Sequence, residues 1–145
     1  MTTMGLTHEP DPRWRIAASE HWTVVLNTDQ SLLGRCFLVL RRPETDVTAL
    51  GDAEILDLWA TVRRVKSALD RLWSPDHYNY AFLMNLDRQV HFHIIPRYRE
   101  ERRFAGGAFV DPEWGGHYAL GPARTLDDAG YDAVLAALRE PLYKG

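Results

Sequence analysis

The 145-residue sequence contains one cysteine, Cys36. A lone cysteine excludes an internal disulfide and any zinc cluster built on several cysteines. It lies in the apolar run CFLVL, a context typical of a small buried side chain rather than of a reactive thiol. We therefore expect no function based on thiol chemistry or on a cysteine-bound metal.

The chain also lacks an excess of basic residues and any long hydrophobic run. Its net charge is −3, whereas nucleic-acid and membrane surfaces usually carry a strong positive excess. The first residues, MTTMGLTHEPDPRWR, contain no apolar segment of the kind found in secretion signals. We expect a cytoplasmic protein that binds neither nucleic acid nor membrane, although a small anionic ligand remains compatible with this composition.

What is present is typical of one globular domain. Hydrophobic residues make up 46% of the chain and charged residues 26%, and this length suffices to bury a core. No internal repeat or linker divides the chain, so we predict a single domain over residues 1–145. We divide it into an N-terminal arm (1–20, interrupted by prolines), a core (22–98) and a C-terminal segment (99–145).

Hydrophobic periodicity predicts the main elements. WTVVL and CFLVL, rich in β-branched and aromatic residues, predict strands over 22–26 and 36–40. Apolar residues at spacings of three and four predict a helix over 52–73. Two further strands, 78–84 and 90–96, are separated by a short connection and predict an antiparallel hairpin. A C-terminal helix is predicted over 126–140. The fold class is therefore α+β, with an antiparallel sheet, a long helix and a C-terminal helix.

The segment that follows the last predicted strand is rich in arginine. In PRYREERR, two glutamates offset the positive charge, which favours a solvated loop over an anion-binding patch. The arginines concerned are Arg97, Arg99, Arg102 and Arg103.

The motif QVHFHII carries the strongest functional signal. Side chains alternate between the two faces of a strand, so Gln89, His91 and His93 share one face and Phe92 lies on the other. Histidines on a solvated strand face are common, so one interpretation is that the pair has no functional role. A metal site is a second alternative, but two histidines without a nearby carboxylate or cysteine are an incomplete zinc set.

The same motif resembles the signature of the histidine-triad (HIT) superfamily, His-φ-His-φ-His-φ-φ, in which φ is apolar. His91 matches the middle histidine and His93 the third, while Gln89 replaces the first. The resemblance favours the branch that contains diadenosine polyphosphate hydrolases.

Upstream, VVLNTDQSLLGRCFLVL is similar to that family's strand, turn and strand. Asn27 and Gly34 fall on matching positions, and Asn85 falls where the family has a polar amide before the triad. The resemblance covers residues 22–98.

The resemblance implies a function for each of these residues. In the family, the middle histidine attacks the α-phosphorus of a nucleotide and forms a nucleotidyl-histidine intermediate, which assigns the catalytic role to His91. His93 would donate to a phosphate oxygen, Asn27 would contact the ribose, and Asn85 would bind near the phosphate. Gln89 would orient its neighbours in the substrate-binding site.

The resemblance also sets expectations for substrate and assembly. The substrate would be a dinucleoside polyphosphate or another nucleotide conjugate, and two chains would form a homodimer. We expect no required cofactor and no bound metal, although magnesium could accompany the substrate.

Three departures from the family pattern keep a second hypothesis open. Gln89 cannot carry a proton, the connection before the triad is short, and Arg35 stands where the family often has a histidine. A basic side chain at position 35 could supply a hydrogen-bond donor, but the simpler interpretation is a solvated strand end. The alternative to an enzyme is therefore a nucleotide-binding protein of the same fold with little or no turnover.

Overall fold

A computed structural model of the chain describes residues 5–118 and 123–144. Five strands form one antiparallel sheet in the order β1-β2-β3-β5-β4, and two more form a separate hairpin. The strands are β1 (Arg15–Ala18), β2 (Trp22–Leu26), β3 (Cys36–Leu40), β4 (His77–Ala81), β5 (His91–Arg97), β6 (Arg102–Phe104) and β7 (Gly107–Phe109). The helices are α1 (Asp52–Trp73) and α2 (Asp128–Lys144), and short 3-10 turns cover Pro12–Trp14 and Val47–Ala49. The predicted α+β class is confirmed.

Helix α1 has the predicted bounds, and its ends have a local cause. The Glu54 carboxylate accepts a hydrogen bond from the Gly51 N–H at 2.9 Å, which satisfies one of the unpaired amides at the start. At the other end Ser74 adopts the left-handed conformation, with φ of 50°, and a proline follows it. No helix in residues 5–118 and 123–144 has the length and apolar composition needed to cross a lipid bilayer.

Both helices pack on one face of the sheet and form the main core with it. The apolar stripe of α1 and the inner side of α2 are buried against the strands, and burial of each large side chain stabilises the fold by about 1.5–3 kcal/mol. The helix residues in this core include Leu58, Val62, Val65, Leu69, Val134, Leu135 and Leu138. The strand residues that meet them include Val24, Leu38, Phe92 and Ile94.

Several element boundaries differ from the prediction. The N-terminal arm contains the strand β1, which pairs with β2; a four-residue strand has too short a pattern to be recognised from sequence. Strand β4 ends at Ala81 rather than at 84, and Met84 has a positive φ of 51°. The β4–β5 connection therefore spans 82–90 and is longer than predicted.

The C-terminal segment is also more ordered than the sequence suggested, because it contains the hairpin of β6 and β7. Helix α2 runs from Asp128 to Lys144, four residues past its predicted end. Residues 1–4 of the predicted arm, residues 119–122 and residue 145 lie outside the described residues.

The prediction of a solvated arginine loop is wrong for Arg97. This side chain is almost fully buried and makes a two-pronged ion pair with Asp111, with Nε–Oδ2 at 2.7 Å and Nη2–Oδ1 at 3.2 Å. It also donates to the side chain of Asn79 and to the carbonyls of Gly116 and Glu113. Burial alone would raise the pKa of Asp111, but the bond from Arg97 and two main-chain amides leave that pKa below its usual range. The pair thus anchors the loop at 111–117 against the sheet.

Two other arginines of this run behave differently. Arg102 reaches the carbonyls of Trp73 and Ser74 at the end of α1, whereas Arg103 is exposed and pairs only with Glu101 in the described part of the chain. The sequence cannot distinguish them, because which arginine is buried depends on a carboxylate fourteen residues away.

Gly34 is required by the close approach of the β2–β3 turn to α1. Its φ is +87°, and a Cβ there would lie 2.7 Å from Leu69 Cδ2 and 2.9 Å from Trp73 Cζ3. We expect Gly34→Ala to lower the free energy of unfolding by about 2–3 kcal/mol, through backbone strain and overpacking together. The measurement is urea-induced unfolding of both proteins.

Gly106 provides the matched control for this substitution. Its φ is +79°, but a Cβ there would meet nothing within 4 Å. Gly106→Ala should therefore lower the free energy of unfolding only by the backbone strain, about 1 kcal/mol. Equal losses in the two variants would show that contact with α1 does not constrain Gly34.

Candidate functional site

The histidines of β5 lie on the face of the sheet opposite the helices. Val39 pairs with His91 and Phe37 with His93, so these four side chains share that face, while Phe92 lies in the main core. The two imidazole rings are 4.8 Å apart between centroids, and the Phe37 ring packs against both. His91 and His93 therefore share one face of the strand, as the alternation of side chains along a strand predicts.

This face is not solvated, which contradicts the simplest alternative for the histidine pair. His91 is 5% exposed and His93 8%. A small apolar cluster of Val25, Phe37 and Val39, with parts of the N-terminal arm packed on it, covers the neighbouring surface. Imidazoles buried in this way need hydrogen-bond partners or a ligand.

His91 is held by one strong hydrogen bond. Its Nδ1 lies 2.7 Å from the carbonyl oxygen of Gln89. A carbonyl can only accept, so Nδ1 carries a hydrogen, and in the neutral ring the lone pair is on Nε2. The bond therefore fixes both the ring orientation and the tautomer in which Nε2 is a nucleophile or base.

His93 lacks such a partner. Its Nδ1 is buried and makes no hydrogen bond with the described residues. Burial, followed by the proximity of His91 and of the Arg35 guanidinium, lowers the pKa of His93 to about 3. The ring is therefore neutral near pH 7, with an unused nitrogen on the histidine face.

Gln89 does not have the surroundings expected of a substrate-binding side chain. Its Nε2 donates to the carbonyls of Leu40 at 3.1 Å and Arg42 at 2.8 Å, and its Oε1 accepts from the Glu44 N–H at 3.3 Å. Both amide hydrogens are thus bound to the main chain after β3. Gln89 positions His91 through its own carbonyl, while its side chain fastens β5 to the end of β3.

Asn27 lies in the β2–β3 turn, and part of its side chain shapes that turn. Its Oδ1 accepts from the Asp29 N–H at 2.9 Å, whereas no hydrogen bond from Nδ2 appears within the described residues. The Asn27 amide nitrogen is thus left for a ligand, and its contact with a ribose stays a prediction.

The turn is braced by Gln30, a residue that the sequence analysis did not single out. Gln30 is fully buried; its Nε2 donates to the carbonyls of Asn27 and Arg35, and its Oε1 accepts from the Gly34 N–H. A glutamine in a polar turn is expected from sequence to be exposed to solvent. Only the folded turn shows that its amide makes the hydrogen bonds that other main-chain groups would otherwise make.

Asn85 is exposed in the β4–β5 connection, and its predicted contact near a phosphate stays a prediction. The same connection is attached to the N-terminal arm, because the Leu6 N–H donates to the Asp87 carboxylate at 3.2 Å. The arm and the connection thus border the histidine face together.

Arg35 is the second residue whose environment the sequence analysis got wrong. It is buried rather than solvated, and its Nε has no hydrogen-bond partner among the described residues. The nearest carboxylate oxygen, on Asp29, is 3.4 Å from Nη1, and the Tyr118 ring lies 5.8 Å from Cζ. Burial lowers the pKa of Arg35, an effect that Asp29 and Tyr118 oppose.

The histidine face continues along β5 into a cavity of about 420 Å³. It is lined by the start of β4, by Arg97 and by residues 114–116, including Trp114. Arg99 lies over the Trp114 ring at 5.5 Å. None of His91, His93 and Asn27 lines this cavity.

Within residues 5–118 and 123–144, no group of three or more histidine, cysteine, aspartate or glutamate side chains is arranged to hold an ion.

Comparison with solved structures shows the same architecture in other proteins. A histidine triad protein from Sinorhizobium meliloti 1021 is 22% identical, with a TM-score of 0.75 over 97% of this chain and 100% of its own. One from Bradyrhizobium japonicum is 24% identical, with a TM-score of 0.71 over 94% and 99%. A histidine triad nucleotide-binding protein from Sulfolobus tokodaii is 13% identical, with a TM-score of 0.68 over 90% and 84%.

The sequence itself identifies the family. No curated protein sequence matches the chain, but the model of the HIT domain family matches residues 11–100, which is more than half of it. That range contains the β2–β3 turn, α1 and both histidines of β5. The chain belongs to the HIT domain family.

Proposed function

We propose that this protein is a nucleotidyl hydrolase or transferase that works through a nucleotidyl intermediate on His91. The observation that carries the proposal is the 2.7 Å bond from His91 Nδ1 to the Gln89 carbonyl. Because this bond uses the Nδ1 hydrogen, the lone pair of the neutral ring is on Nε2 and is available for attack. Membership of the HIT domain family supports the same chemistry.

The reaction would proceed in two displacements. In the first, Nε2 of His91 attacks the α-phosphorus; an N–P bond forms, and the bond from phosphorus to the leaving group breaks with its electron pair on the leaving group, which then takes a proton. In the second, water attacks the same phosphorus, the N–P bond breaks, and a nucleoside monophosphate is released. An acceptor other than water would make the protein a transferase.

His93 would stabilise the charge that grows on the phosphate oxygens. Neutral and without a protein partner at Nδ1, it can offer an N–H to an oxygen in a site that excludes water, where such a bond is worth most. The substrate would be a dinucleoside polyphosphate, as in the diadenosine polyphosphate hydrolase branch, or another nucleotide conjugate. No resident cofactor is needed for these steps, and magnesium would enter with the phosphates.

A nucleotide-binding protein with little turnover is the second candidate. The observation in its favour is that the Gln89 amide is committed to the main chain at Leu40 and Arg42. This position therefore offers neither a proton nor a free amide to the leaving group. The Sulfolobus relative described as nucleotide-binding agrees with either candidate.

We also propose that two chains associate beside the β4 edge. Strand β4 is the last in the sheet and exposes Tyr80, and α1 exposes the apolar side chains of Ile55, Leu56 and Trp59. Trp59 and Tyr80 both pack on Phe92, so the patch is continuous with the core. Exposed apolar groups beside an unpaired strand edge are typical of interfaces.

The first prediction concerns His91. We expect His91→Ala to abolish turnover of diadenosine polyphosphates and other adenylated compounds, while AMP affinity changes by less than about tenfold, or ~1.4 kcal/mol. Attack needs the nitrogen, whereas binding is shared across the site. The measurement pairs product formation with calorimetric AMP binding, and mass spectrometry looks for an AMP adduct on His91.

His21→Ala is the control. His21 lies in the β1–β2 turn, and its main-chain N–H donates a hydrogen bond to α1. This variant should retain turnover. Turnover that survives in His91→Ala would exclude the mechanism, and AMP binding without any turnover in the wild type would favour the binding-protein candidate.

The second prediction is the effect of pH on stability through His93. An unfolded histidine binds a proton near pH 6.5, but folded His93 does so only near pH 3. The unfolded state therefore binds more protons in this window, and the stability from this group is complete above pH ~6.5 and is lost as pH falls toward 3. We expect the wild type to lose up to about 1.4 kcal/mol more per pH unit than His93→Gln over this range.

The measurement is urea unfolding from pH 7 to pH 4. His77→Gln serves as the matched control, since His77 is exposed on β4, and its profile should run parallel to the wild type. A parallel profile for His93→Gln as well would mean that His93 is not held neutral by burial.

The third prediction tests the association. Leu56 is 71% exposed on α1, so Leu56→Glu should leave the fold intact and convert a dimer into a monomer in sedimentation at micromolar concentration. Tyr143→Glu, at an even more exposed position on α2, should remain dimeric. A wild-type protein that sediments as a monomer would refute the interface.

A further inference from the structure

Arg35 carries a charge that the described residues leave poorly satisfied. A guanidinium has five N–H donors, yet the side chain is only 10% exposed and its one carboxylate contact is 3.4 Å long. Strong charge-assisted bonds are shorter, about 2.7–2.9 Å. The buried Nε has no hydrogen-bond partner in the part of the chain that the structure describes. Such an arrangement disfavours the folded state unless an anion completes it.

Asp29 is not the missing anion, because its carboxylate is already engaged elsewhere. Oδ1 accepts from the main-chain N–H groups of Ser31 and Arg124, each at 3.0 Å. These bonds fold the β2–β3 turn and tie residue 124 to it. Asp29 therefore holds the turn in shape and leaves most donors of Arg35 unused.

The unsatisfied groups of Arg35 and His93 are on the same face. Arg35 directly precedes the first β3–β5 pair, Cys36 with Ile94, and alternation places its side chain on the side of Phe37 and His93. The Arg35 guanidinium is also one of the causes that lower the pKa of His93, after burial and His91. Arg35 Nε and His93 Nδ1 are thus two buried nitrogen atoms on one face of the sheet that have no hydrogen-bond partner among residues 5–118 and 123–144.

We propose that Arg35 is a phosphate-binding residue, which donates from Nε to a non-bridging oxygen of the substrate's phosphate while His93 binds a second oxygen. The proposal rests on the proposed function only in placing the phosphates at His91 and His93. It adds a residue to that site: through Arg35, affinity depends on the phosphate charge, and the site distinguishes nucleotides from nucleosides.

An arginine here has a consequence that a histidine would not have. A guanidinium stays charged throughout the pH range in which proteins are folded, whereas a histidine loses its charge near pH 6.5. Phosphate affinity should therefore not decline from pH 6.5 to pH 9 in the wild type. In Arg35→His it should fall as the imidazole deprotonates.

The experiment compares binding of AMP and adenosine by calorimetry in the wild type and in Arg35→Gln. Loss of a charged hydrogen bond should weaken AMP binding about tenfold or more, while adenosine affinity stays within about twofold. Arg103→Gln is the matched control, because Arg103 is exposed and pairs with Glu101 alone in the described structure. It should leave both affinities unchanged.

Two measurements separate binding from a structural role. Inorganic phosphate titrated into the labelled wild type should shift the Arg35 Nε–H signal in NMR spectra, assigned by its absence in Arg35→Lys. Ligand-free Arg35→Gln should melt at the wild-type temperature or roughly 2–4 °C higher, because removing a poorly paired buried charge relieves its desolvation.

Unchanged AMP affinity in Arg35→Gln, or equal loss of AMP and adenosine binding, would overturn the proposal. Failure of the proposed function has a different signature. AMP binding that depends on Arg35 but is not followed by turnover would refute the enzymatic function and leave the role of Arg35 standing. Turnover through His91 that is unchanged in Arg35→Gln would refute the role of Arg35 and leave the enzymatic function standing.

Discussion

Strands β3 and β5 lie in the middle of the sheet, are buried on both faces, and pair so that Val39 meets His91 and Phe37 meets His93. A slip of one residue would turn both imidazoles into the helix-packed core and bring Phe92 to the other face. The register is secured just before β5 begins. There the Gln89 amide binds two carbonyls at the end of β3, and Val90 exchanges main-chain bonds with Leu40 and Glu44. The tautomer of His91 depends on the same segment, because its partner is the Gln89 carbonyl.

The burial that positions the histidines also sets their chemistry. In a site that excludes water, His93 remains neutral, and Arg35 keeps a charge without a full set of acceptors. Both conditions disfavour the ligand-free fold, since unpaired buried polar groups are costly. They favour a bound anion for the same reason: each donor is already oriented and desolvated before the ligand arrives.

The surrounding segments are attached to this centre by polar contacts rather than by the main core. The Arg97–Asp111 pair fastens the loop at 111–117 to the far end of β5, and the Leu6–Asp87 bond joins the arm to the β4–β5 connection. Gln30 supplies the corresponding brace for the β2–β3 turn. Each contact links residues distant in the chain or replaces main-chain partners inside a turn. Together they enclose the histidine face on several sides.

Local pattern was sufficient for much of the fold and for the identity of the site. The 3.6-residue period of α1, the β-branched runs of β2 and β3, and the alternation around His91 depend only on neighbouring residues, and each was predictable. The HIT motif could be recognised for the same reason. Burial of polar side chains was not predictable, because it is decided by partners far away in sequence. Arg97 is buried because Asp111 lies beside it, Gln89 binds the main chain of a strand some fifty residues earlier, and Arg35 is buried by a turn that Gln30 holds closed. The sequence by itself determined which groups could perform phosphate chemistry. Only the tertiary structure decided which of these groups are buried from water, which are neutral, and which have no hydrogen-bond partner among the described residues. The reason is that desolvation and hydrogen bonding are properties of the assembled sheet.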